Sequence, residues 1–81
     1  MKTQTPVRKT IKAKTLIQLY GRAWFVEYSW REHRQLDVAV QVVRLRLMGD
    51  ASALDEAGTF LCTPGQCIVR EEQDILAKVT Q

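Results

Sequence analysis

Between residues 11 and 31, apolar and polar side chains alternate on both sides of a single glycine, and that pattern decides what the chain can fold into. Ile11, Ala13, Ile17 and Leu19 are apolar, whereas Lys12, Lys14 and Gln18 are polar. A period of two marks a strand with one face buried. Gly21-Arg22 follows, a Gly-X pair that suits a two-residue type II′ turn. Beyond it, Trp24, Val26, Tyr28 and Trp30 fall on one side, and Phe25, Glu27, Ser29 and Arg31 on the other. A turn at 21–22 sets Leu19 opposite Trp24, Ile17 opposite Val26, Thr15 opposite Tyr28 and Ala13 opposite Trp30. Directly opposed residues share a face, so Trp24, Tyr28 and Trp30 are expected in the core with Ile17 and Leu19. The other face pairs Lys12 with Arg31, Lys14 with Ser29, Leu16 with Glu27 and Gln18 with Phe25. A slip of one residue would mix the two sets, so the register is well specified.

Residues 36–48 admit two readings. A helix over 30–48 aligns Leu36, Val40, Val43 and Leu47, with Ser29-x-x-Glu32 as a capping box and Gly49 as a stop. It also places Arg46 in the apolar arc and carries a dense run of valines at a cost in helix propensity. A strand points Leu36, Val38, Val40 and Val42 inward, then Val43, Leu45 and Leu47, with one β-bulge at Val42-Val43 absorbing the change of parity. The strand is favoured because it buries no charge. Residues 49–58 read as a loop with at most one helical turn. Thr59–Cys62 and Cys67–Arg70 read as a second hairpin across Thr63-Pro64-Gly65-Gln66. Acids at 71–74, then Ile75, Leu76 and Val79 with Lys78 near the end, suit a short C-terminal helix. The expected fold is mainly β: a small antiparallel sheet of five strands, curled into a partly open barrel and closed by one helix.

Eighty-one residues make one small domain, and a chain this short buries a modest share of its surface. Residues 1–9 contain Pro6 and are polar, so they read as a flexible basic arm preceding a domain over 10–81. The net charge of +3 is unevenly spread. Lys2, Arg8, Lys9, Lys12 and Lys14 occur in residues 1–15 without any acid, whereas the remainder is slightly acidic. Basic arms are attracted to polyanions. The longest apolar run, Ala23-Trp24-Phe25-Val26, is far too short for a membrane span, and no apolar leader follows the basic start. The expected location is the cytoplasm.

Signals for chemistry are sparse. Cys62 and Cys67 would face each other in the second hairpin, a geometry that permits a disulfide. In the cytoplasm they read instead as two reduced, small hydrophobes. Two cysteines and the single His33 do not complete a zinc site. His33, in a charged segment, reads as an exposed loop residue. Ser29 and Ser52 have no activating context, Asp55-Glu56 and Glu71-Glu72 are adjacent acids that point apart, and the four glycines are scattered at turns. A non-enzymatic protein without cofactor or metal is expected.

Two functions fit. In the first, the chain binds nucleic acid: Arg8 and Lys9 in the arm hold phosphates, Lys12, Lys14, Arg31, Arg44 and Arg46 extend the track, and Tyr20 or Phe25 stacks on a base. In the second, it is a protein-binding accessory factor, an inhibitor or assembly subunit, acting through sheet edges and an aromatic face or as a homodimer. The first is favoured by the charge asymmetry. Small size and a basic arm also suit accessory proteins of mobile elements.

Overall fold

The computed structural model describes residues 10–79; the expected arm over 1–9 lies outside the described residues. The fold is mainly β, as expected. It has six strands: β1 (Leu16–Leu19), β2 (Arg22–Gln35), β3 (Val38–Leu47), β4 (Ala53–Leu54), β5 (Phe60–Cys62) and β6 (Cys67–Glu71). They are followed by one short helix, α1 (Glu72–Leu76). The first sheet is antiparallel in the order β1-β2-β3-β6 and curls into a half-barrel; β4 and β5 form a separate ladder.

The helix considered for 30–48 does not form. β2 and β3 make one long hairpin turning at Leu36-Asp37. The first hairpin also differs in detail from the expectation. Its turn is Tyr20-Gly21, not Gly21-Arg22, so Leu19 faces Arg22 and Ile17 faces Trp24. Both turn residues have positive φ, 55° and 69°, the requirement of a type I′ turn, whose twist matches that of the strands. The register therefore moves by two residues, and every side chain in the ladder keeps its expected face. β1 also starts later than the alternation suggests. Lys14 has φ 70°, which breaks the extended run. The amide of Lys14 still donates to the carbonyl of Val26 at 2.6 Å, but the pairs Ala13–Trp30 and Lys12–Arg31 do not form. Ile11 turns back into the core, and its amide donates to Glu72 Oε2 at 2.9 Å, tying the N-terminal segment to the helix.

The parity break lies on the other strand from the one expected. β3 alternates without interruption; the extra residues lie in β2, Glu27 between Val26 opposite Leu45 and Tyr28 opposite Arg44, and Arg34 near the hairpin tip between His33 opposite Ala39 and Gln35 opposite Val38. Val42 and Val43 are both buried although they point to opposite faces of the sheet. Val43 joins the core, and Val42 lies on the outer side beside its register partner Trp30.

The second hairpin is corrected as well. The Thr63–Gln66 turn is present: the Gln66 amide donates to the Thr63 carbonyl at 3.1 Å, and Gly65 takes φ 86°, as a type II turn demands. The strands on either side diverge, β5 to β4 and β6 to β3, so Cys62 and Cys67 are not cross-strand neighbours. Residues 53–60 form a hairpin instead of a loop with a helical turn, and Asp55 Oδ1 accepts the amides of Ala57 and Thr59 to hold its bend.

The core fills the concave side of the half-barrel with Leu19, Trp24, Val26, Val43, Leu45 and Leu47, closed by Ala53, Cys62, Ile68 and Ile75. Trp24 Nε1 donates to the Leu19 carbonyl at 2.9 Å, so the indole is buried with its one polar atom paired. α1 brings Ile75 onto the core, and Glu72 and Asp74 in its first turn suit the helix dipole.

Candidate nucleic-acid interface

Adding one residue to a strand reverses the facing of everything beyond it. In β2 that residue is Glu27. Before it, Trp24 and Val26 point into the core and Phe25 points out. After it, Ser29 and Arg31 take the inner side with their partners Val43 and Gln41, while Tyr28 and Trp30 point out. The expectation that Tyr28 and Trp30 share the core with Trp24 is thus overturned. Phe25, Tyr28 and Trp30 instead stand together on the convex face, Tyr28 59% exposed and the other two half-buried.

Cations border these rings. Across the ladder, Phe25 faces Arg46 and Tyr28 faces Arg44, and Lys14 Nζ lies 5.6 Å from the centroid of the Tyr28 ring. Glu27 sits between the two guanidiniums. It lies 3.1 Å from Arg44 Nε and accepts a short hydrogen bond from Arg46 Nε, while Arg46 Nη1 donates to the Gly65 carbonyl at 2.6 Å. Trp30 Nε1 donates to Glu32 Oε2 at 2.8 Å, which fixes the plane of the outermost ring. Beyond it, Arg34 bridges Glu32 and Glu71, so the far end of the face is close to neutral.

The hydrogen bond from Arg46 is the main reason that the Glu27 carboxyl is held below the usual carboxylate range, with the Cys67 thiol and the charges of both arginines assisting against partial desolvation. A carboxyl whose folded value lies below its unfolded one stabilises the fold wherever it is ionised in both states. That contribution is whole above about pH 5 and fades as pH falls through the unfolded value near 4.3 and the lower folded value. Glu27→Gln should therefore lower the urea midpoint at pH 7, and the gap to wild type should close at about pH 2–3. A gap of equal size at both pH values would show that the carboxylate's charge is irrelevant to stability.

The other nominated residues lie elsewhere. Arg31 lines a cleft of about 770 Å³ beside Asp37, Gln41, Glu72 and Gln73, on the inner side of the sheet and away from Arg44 and Arg46. Tyr20, in the turn, packs against the core. Lys12 borders a hollow with Ile11, Ile17, Leu76 and Val79. Arg8 and Lys9 fall outside the described residues. Tyr28 and Trp30 were not nominated for the outer face because simple alternation assigns them inward; the signal was the parity break itself, allotted to the wrong strand.

The two free thiols differ. Cys62 is buried, and burial pushes its thiol up. Cys67 lies half-buried on the convex face, its Sγ 3.5 Å from Glu27 Oε1. Ellman's reagent should titrate one thiol rapidly in the native protein and both after denaturation, and Cys67→Ser should abolish the rapid phase. Two rapid thiols would mean that Cys62 is not packed as described.

Among the described residues no His, Cys, Asp and Glu side chains cluster in a way that would hold a metal ion, and no helix is long and apolar enough to cross a membrane. No family model, no curated protein and no solved structure matches the chain.

Proposed function

We propose that the protein is a small, non-enzymatic module that binds nucleic acid in the cytoplasm through the convex face of β2 and β3. The observation that carries this reading is the company of three outward rings, Phe25, Tyr28 and Trp30, with three cations, Lys14, Arg44 and Arg46, on one surface. Rings supply stacking that every base accepts, and cations meet phosphates. Glu27 holds the two arginines in place and offsets part of their charge, so affinity is modest unless Lys12 and the basic residues before it, Arg8 and Lys9, add phosphate contacts. Fluorescence anisotropy of a labelled oligonucleotide between about 50 and 200 mM salt tests the reading. Three to four phosphate contacts predict a slope of log K against log salt of about −2 to −3. No binding at the low salt, or binding indifferent to salt, would remove it.

A second reading is a protein-binding accessory factor acting through the sheet edges β1 and β6. It is supported by Leu36, 94% exposed at the tip of the β2–β3 hairpin. A monomer by light scattering that recovers no partner would count against it.

A further inference from the structure

We infer that the strand bound on this face is single, with its bases splayed one to a ring, and not a duplex. The inference rests on the nucleic-acid reading above and deepens it. Phe25, Tyr28 and Trp30 occupy successive outward positions along β2, since the Glu27 bulge removes the odd residue between the first two. Outward positions on a strand repeat every two residues, about 7 Å at 3.4 Å per residue. Bases in a duplex are stacked about 3.4 Å apart along each strand, with their faces covered by their neighbours. Rings at twice that pitch meet base faces only where the bases have come apart. The ring plane at Trp30 is fixed in advance by its bond to Glu32, and the Tyr28 ring already carries Lys14 at 5.6 Å. Lys14 lies over that ring, so a base stacking there displaces the ammonium sideways, within reach of the phosphate that joins two splayed bases.

The alternative geometry for a duplex is a two-stranded ribbon laid in the major groove. The part of the β2–β3 hairpin that protrudes does not suit it. Arg31 and Arg34 there are matched by Glu32 and Asp37, and Arg34 is already bound to Glu32 and Glu71. A ribbon without net positive charge gains nothing from counterion release on entering a groove.

The test uses the full chain and one labelled oligonucleotide of about twelve nucleotides, free or annealed to its complement, at low salt. Trp24 is buried, so quenching of tryptophan emission on binding reports Trp30. The expected result is single-strand binding at least tenfold tighter than duplex binding, with quenching. Tyr28→Ala should weaken single-strand binding about 5- to 100-fold, and Tyr28→Phe should restore most of it. Tyr28 is largely exposed, so the substitution leaves the core intact, and circular dichroism confirms it. Duplex binding equal to or tighter than single-strand binding, or single-strand binding indifferent to Tyr28→Ala, overturns the inference while leaving the nucleic-acid reading in place. Absence of binding to either form removes that reading, and the inference falls with it.

Discussion

Trp24→Ala should leave the chain without a cooperative fold at about 37 °C. Trp24 is the largest fully buried side chain, set between Ile17 on β1 and Leu47 on β3. Removing a buried Trp costs about 3–5 kcal/mol in lost transfer energy and cavity. The Leu19 carbonyl loses its donor at the same time, which adds about 1–3 kcal/mol if water does not reach it. A domain of this length has on the order of 4–12 kcal/mol in total. Thermal melts by far-ultraviolet circular dichroism read the effect. Trp24→Phe, which keeps a ring and gives up the donor, should melt between the two. Wild-type-like melting of Trp24→Ala would mean that this indole is not the centre of the core.

Gly21→Val should cost less and still be plain. The type I′ turn holds Gly21 at φ 69°, where open space surrounds the position and only the backbone resists a side chain. Left-handed geometry costs about 1–2 kcal/mol for an ordinary residue and more for a β-branched one. For a domain of 60–100 residues each 1 kcal/mol lowers Tm by about 4–8 °C. Gly21→Asn tolerates that φ and should stay close to wild type. Equal losses in the two variants would point to crowding instead of backbone strain and would contradict the open surroundings of the turn.

That turn also shows where sequence reasoning stops. Turns centred on Gly21-Arg22 and on Tyr20-Gly21 give registers two residues apart, and both keep every side chain on its face. Hydrophobic alternation is blind to the difference; the sign of φ at Tyr20 decides it, and a tyrosine does not advertise a positive φ. The helix at 72–76 was legible because local periodicity and charge placement suffice for it; over 38–47 periodicity fits helix and strand alike, and the cost of burying Arg46 decides for the strand. The partners of β5 and β6 were not. Thr63-Pro64-Gly65-Gln66 prescribes a reversal of the chain, but the ladder that β6 joins depends on Ile68 meeting Leu45 far away in sequence. The candidate site follows the same division. Lys14, Phe25, Arg44 and Arg46 were nominated and do gather on the convex face. Arg31 was nominated beside them, and Tyr28 and Trp30 were assigned to the core, for one shared reason. A break of parity shared by two paired strands fits an insertion in either, and only the position of the third strand tells which.

Bulged strands coil more tightly than regular ones, so Glu27 does two jobs with one backbone irregularity. It bends the sheet toward closure over the tryptophan core, and it rotates two aromatic residues out to solvent. Deleting position 27 would join Val26 straight to Tyr28 and leave their partners Leu45 and Arg44 in place, so Tyr28 and Trp30 would still point out. What would go is the local coil of the strand and the carboxylate set between Arg44 and Arg46. Curvature and the charge balance of the outer surface are therefore inherited or lost together.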